Sequence, residues 1–130
     1  MRAKDRVRRA LETLLDDGRR DAATIAAHFD SGYRQWVDGE TLDFDGFVAH
    51  MQALDAALDS VRVTFESMVE EGDQVATRHI VDSVMKDGHT GRFEVIAIFG
   101  VGAGGILSCH ELTRQIDGRG EDRDLGSRKA

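Results

Sequence analysis

Only one cysteine, Cys109, stands in the 130 residues, so no internal disulfide can form. Its place inside an apolar run suits a reducing compartment. No stretch of about twenty apolar residues exists, so a membrane-spanning helix is not expected. Positive charge is in deficit: 17 Lys and Arg against 24 Asp and Glu leave a formal charge of −7. Binding along a phosphate backbone needs clustered Lys and Arg, so neither a nucleic-acid nor a membrane partner is expected. The basic first turns (Arg2, Lys4, Arg6, Arg8, Arg9) are followed by Glu12, Asp16 and Asp17 rather than by an apolar stretch. A secretory leader is therefore not expected, and the cytoplasm is the expected location. His28, His50, His79, His89 and His110 show no close metal-ligand spacing and Cys109 stands alone, so neither a metal nor a cofactor is expected.

What is present fits one domain with its own core. Val7, Leu11, Leu14 and Leu15 recur at helical spacing. The other face of that helix is basic early and acidic late, against the helix dipole, so its first turn should fray. Gly18 is a natural stop. Asp21 can cap a short second helix carrying Ala22, Ile25, Ala26 and Phe29. Tyr33 to Val37 reads as a short strand ended by Asp38-Gly39. Asp43 precedes Phe44, Phe47, Val48, Met51, Leu54 and Leu58, the clearest helix in the chain.

After Ser60 the period becomes two. Val61, Val63, Phe65, Ser67 and Val69 share one face of a strand, and Arg62, Thr64, Glu66, Met68 and Glu70 the other. Further strands are predicted over 75–85, 92–99 and 106–116, with turns at Gly72-Asp73, Asp87-Gly88 and a flexible one at 100–105. The strand at 92–99 is apolar on both faces, which predicts a central position covered on both sides. The charged, Gly-rich residues after Asp117 read as a tail. The order helix, helix, strand, helix and a four-strand meander predicts an α+β domain over residues 1–117, its helices on one face of the sheet, with a tail over 118–130.

Gly72-Asp73-Gln74-Val75-Ala76-Thr77-Arg78-His79, Gly91-Arg92-Phe93-Glu94-Val95 and Gly105-Ile106-Leu107-Ser108-Cys109-His110-Glu111-Leu112 follow one another in this order. With Tyr33 to Gly39 and Thr41 to Phe44, they resemble the nuclear-transport-factor-2-like superfamily, in particular bacterial members of its polyketide-cyclase-like (SnoaL-like) branch. The resemblance spans roughly residues 5 to 117. It implies a curved antiparallel sheet wrapped around the N-terminal helices as a cone, also described as a cystatin-like roll. It further implies an apolar pocket and often a homodimer through the sheet. Isomerases, cyclases, hydrolases and dehydratases share this fold, and fold alone does not fix function. The last turn, Gly-Ala-Gly-Gly, and His110 at a position often held by Trp depart from the family pattern. The catalytic Asp and Tyr of the steroid-isomerase branch have no matching motif here.

Proton transfer in an apolar cone needs an ionisable group whose pKa burial has moved, with a donor for the developing oxyanion. Glu111, flanked on its own face by Cys109 and Thr113, is the first candidate. The alternative places it on the outer face beside an Arg. His79 shares the apolar face of Val75, Thr77 and Val81 and is the second candidate, or else a satisfied core histidine. Arg78 and Asp82 would then face outward. His110 has the opposite parity to Glu111, so only one of the two can face the interior. Tyr33 and Gln35 share a face and could hold a ligand oxygen, Trp36 on the other face reads as core or pocket wall, and Thr113 joins the ligand-binding candidates. His50 reads as a surface or core residue, and the face of Glu94 is open. Gly100 to Gly105 fits G-x-G-x-x-G, but a strand rather than a helix follows, which excludes a dinucleotide site. Two functions stay open: an acid/base enzyme on a small apolar, oxygen-bearing substrate, and a non-catalytic homodimer that binds a ligand or partner.

Overall fold

The computed structural model describes residues 1–129. Helix α1 (Ala3–Leu14) buries Val7, Ala10 and Leu14 at spacings of three and four; its N-terminus has no side-chain cap. Helix α2 (Ala22–His28) is capped by Asp21, which accepts from the Thr24 amide at 2.8 Å. Strand β1 (Phe29–Val37) turns through Asp38 and Gly39, both at positive φ, into β2 (Glu40–Leu42). Two successive positive φ values twist a two-residue hairpin as its strands require. Asp43 caps α3 (Phe44–Ala57), accepting from the Gly46 amide. Four long strands follow: β3 (Leu58–Glu71), β4 (Gln74–Met85), β5 (Thr90–Gly102) and β6 (Gly105–Asp117).

The six strands form one curved sheet in the order β2-β1-β6-β5-β4-β3. The expectation of an α+β cone holds, with one correction. The sheet is mixed, because β1 runs parallel to β6, placing Gln35 beside Cys109 and Val37 beside Glu111. The chain reaches β1 before α3 and the meander, so the meander's last strand returns along β1 in the same direction. Helices and the concave sheet face enclose the core. Phe29, Tyr33 and Phe47 cluster with centroids 4.8–5.0 Å apart, Tyr33 edge-on to both phenylalanines, joining β1 to α3.

Three local expectations are corrected. Phe29 opens β1 instead of closing α2. In β3, the register shifts between Phe65 and Ser67, so the alternation slips: Met68 turns to the core and Val69 is exposed. An extra residue in one strand bends it and reverses the faces beyond. The segment after Asp117 is no free tail: Leu125 is 5% exposed and belongs to the main core.

The turn from β5 to β6 is tight rather than flexible, with strand up to Gly102 and again from Gly105. Gly105 sits at φ +133°, and a Cβ there would lie 2.9 Å from the Asp30 nitrogen, the His28 oxygen and the Phe29 carbonyl carbon. Only glycine lets β6 start this close to β1. Gly105→Ala is expected to destabilise the fold by about 1–3 kcal/mol in urea denaturation, from backbone strain and collision together.

Candidate functional site

The alternation of β6 decides the site. Cys109, Glu111 and Thr113 point into the cone, while His110 and Leu112 are exposed on the outer face. Trp36 lies on that outer face too, 43% exposed, its ring 6.2 Å from that of His110. Its assignment as pocket wall is therefore corrected: on β1, Tyr33, Gln35 and Val37 take the inner positions and Trp36 falls between them. Glu94 also faces outward, where Arg78 and Arg114 bond its carboxylate. Arg78 and Asp82 find partners within this chain, Glu94 and Arg92.

The interior holds a cavity of about 100 Å³, lined by Tyr33, Gln35, His79, Cys109, Glu111 and Thr113 on the sheet side. Phe47, His50, Met51 and Leu54 line it from α3, with Leu11 and Leu14 from α1. Apart from His50 on α3, the polar groups sit on the sheet wall of an otherwise apolar chamber, and no Lys or Arg among the described residues lines it.

Glu111 is half-buried. Cys109, a weak thiol donor, bonds its Oε1 at 3.5 Å, and Thr113 donates to its Oε2 over a long 3.4 Å. Desolvation outweighs them and, with the charge of Asp38 nearby, raises its pKa from 4.5 to about 7. Asp38 also fastens this end of β6, accepting from the Thr113 amide at 2.8 Å while its own amide donates to the Glu111 carbonyl. His79 is buried with Nδ1 2.9 Å from the Thr77 hydroxyl, and burial lowers its pKa to about 4. It is neutral near pH 7 and a weak base. Glu111 and His79 therefore share a chamber, but only Glu111 titrates where proton transfer is efficient.

Tyr33 donates to Gln35 Oε1 at 2.7 Å. Burial holds the phenol well above its usual pKa, so it stays a donor. The bond fixes the Gln35 amide, whose Nε2 makes no hydrogen bond among the described residues. Gln35 is therefore an oriented donor at the cavity wall.

Sequence reasoning missed two contributors. His50 lines the cavity at 3% exposure, its Nδ1 2.6 Å from the Arg128 carbonyl oxygen. A carbonyl only accepts, so Nδ1 carries the proton, and burial keeps the ring neutral. The signal was available: Phe47, His50, Met51 and Leu54 share one helical face. Leu125, the other, lay in a segment whose charge masked it. His89 and the adjacent pair Glu121 and Asp122, distant from it in sequence, bring ligand atoms within 4.8 Å of one another. His89 and Asp122 are already bonded to each other there.

This cone, with its polar wall, is that of the nuclear-transport-factor-2-like superfamily. Within it, residues 7–109 match the model of the SnoaL-like domain, and the chain belongs to that family. An uncharacterised protein of the fission yeast Schizosaccharomyces pombe is 33% identical over 119 residues, 92% of each chain. Among solved structures, IdmH of Streptomyces antibioticus, a candidate polyketide cyclase, is similar with TM-score 0.72 at 17% identity, covering 87% of this chain and 92% of that one. An LEH-like epoxide hydrolase of M. tuberculosis is similar with TM-score 0.71 at 16% identity, covering 86% and 82%. At such identities these structures speak for the fold. No described helix is long and apolar enough to cross a membrane.

The raised pKa of Glu111 links stability to pH. Between about pH 4.5 and 7 the native carboxyl holds a proton that the unfolded chain has lost, so stability falls as pH rises through this window and levels off above it. Glu111→Gln mimics the protonated acid. Urea denaturation should show the variant gaining on the native chain from about pH 5 to about pH 8, by up to ~3 kcal/mol.

Proposed function

We propose that this protein is an acid/base enzyme acting on a small, neutral, apolar substrate with a carbonyl or ether-type oxygen. Glu111 moves the proton, and Gln35, oriented by Tyr33, donates to the substrate oxygen. The observation that carries this reading is Glu111 itself, a carboxyl held near a pKa of about 7 in an apolar chamber with no cationic partner lining it. Such a group is half-ionised near neutral pH and serves as base or acid within one turnover. Similar cones in a candidate polyketide cyclase and an LEH-like epoxide hydrolase favour the same broad class, isomerase, cyclase or hydrolase. His79 and Thr113 complete the wall against which the substrate lies. One observation favours a non-catalytic binding module instead: the chamber is narrow and crowded by Phe and Leu side chains.

Exchange of α-protons of small neutral ketones such as cyclohexanone into heavy water, followed by NMR, separates these readings. The native chain should accelerate exchange with a rate rising to a plateau above about pH 7. Glu111→Gln should lower the rate by about a hundredfold or more with an unchanged circular-dichroism spectrum. Ketone binding without any exchange would support the binding module.

The same reading includes a homodimer through the outer sheet face and a cytoplasmic location. Ile96, Ile98, Leu112 and Trp36 are exposed there, Ile96 opposite Leu112 and Ile98 opposite His110. The charges among them, Arg78, Glu94 and Arg114, are already paired to one another, which lowers the cost of covering them. Light scattering should give a dimer for the native chain and a monomer for Ile98→Glu. A variant that stays dimeric would remove the outer face as the interface, and a monomeric native chain would remove the dimer itself.

A further inference from the structure

The segment after β6 borders the cavity through Leu125 and Gly126 without joining the sheet. Its backbone hydrogen bonds, from the Asp122, Arg123, Leu125, Ser127 and Arg128 amides, all end on carbonyls within residues 119–124. Arg128 bonds Asp122 and Asp124 and tightens the same coil. Polar attachment to the rest of the molecule comes from side chains: His50 to the Arg128 carbonyl, His89 Nε2 to Asp122 Oδ2 at 2.6 Å, Gln115 to the Arg119 carbonyl at 2.7 Å, and Arg119 to the Asp87 carboxylate at 3.5 Å. The remaining attachment is Leu125, inserted into the core and lining the cavity with Gly126. Gly118, at φ +131°, and Gly120 stand where this strap leaves β6.

The chamber with Leu125 in place is too small for the work assigned to it. Its 100 Å³ is less than the roughly 150 Å³ in which an engineered cavity holds benzene, and well below the ~300–1,000 Å³ of ordinary ligand sites. Leu125 fills the space next to it. We propose that residues 119–129 form a lid on the cone, turning about Gly118 to Gly120, and that Leu125 is the plug whose withdrawal admits the ligand and whose bulk limits its size. A coil that satisfies its own backbone can leave the body without exposing unpaired amides, which a strand of the sheet cannot do. The lid rests on the reading of the chamber as a ligand site, but not on the chemistry of Glu111.

A reversible lock tests it. A Cβ built on Gly126 would lie 3.8 Å from the Thr113 Cβ, the mean separation across a disulfide. The full chain carrying Thr113→Cys and Gly126→Cys can therefore be tied shut by oxidation and freed by dithiothreitol. Cys109, four residues back along β6 and about 13 Å away, is out of reach of both. The neutral apolar fluorophore 1-aminoanthracene should bind the reduced protein and bind the oxidised protein roughly tenfold or more weakly, because the competent open state is removed. Leu125→Ala in the native background should bind it more tightly than the native chain. Hydrogen exchange on the native chain supplies a measurement independent of the disulfide: the Leu125 and Arg128 amides should exchange far faster than those of β5 and β6. Equal affinity in the two redox states, or strap amides as protected as the central strands, would overturn the lid. Neither readout involves turnover, so loss of the Glu111 mechanism would leave both unchanged.

Discussion

The parallel seam between β1 and β6 is the contact on which the rest of this molecule depends. It sets Gln35 level with Cys109 and Val37 level with Glu111, so donor and carboxyl reach the chamber from neighbouring strands. It also forces the Asp38-Gly39 hairpin against the Glu111–Thr113 stretch, where Asp38 holds the Thr113 amide and adds negative charge near Glu111. One side chain thereby fixes the position of the carboxyl and helps set its proton affinity. The seam exists because Gly105 has no side chain to keep β6 off the backbone of residues 28–30. A slip of one residue along it would exchange Glu111 for His110 in the chamber.

Much of this was legible in the sequence, wherever a strong period was uninterrupted. The α3 stripe, the caps Asp21 and Asp43, and the inward set Val75, Thr77 and His79 follow from spacing alone. Glu111 and His79 were separated from His110 and Arg78 by parity, and only the sense of the face was open. What sequence could not supply were features made by two segments at once. The direction of β1 relative to β6 depends on the path of the whole chain. The face reversal in β3 depends on where β4 stops matching it. The strap was hidden for a different reason: its composition is that of a solvated tail, and a single Leu125 reverses that reading only once a hole of the right shape exists.

A strand apolar on both sides predicted cover on both sides, yet helices cover only the concave one. Ile96 and Ile98 remain 49% exposed in the single chain. Monomeric proteins scatter exposed apolar residues singly, whereas these lie in contiguous rows across β5 and β6. The pairing of Glu94 with two arginines in the same rows leaves this cluster with one net positive charge and each of its charged groups bonded within the chain.

The chamber's electrostatics narrow its occupant more than its shape does. An anionic substrate would have to share an apolar volume with the Glu111 carboxylate, and no Lys or Arg among the described residues lines that volume to offset the repulsion. In a medium where charges are poorly screened, that arrangement favours keeping Glu111 protonated and expelling the anion. A cationic substrate would do the reverse, pulling the Glu111 pKa down and removing its usefulness as a base near neutrality. A neutral molecule leaves the carboxyl balanced between its two states, and it can still use Gln35 and Tyr33 through an oxygen. On the proposed function, the same desolvation that costs the fold stability when Glu111 ionises is what would restrict the site to uncharged, largely apolar ligands.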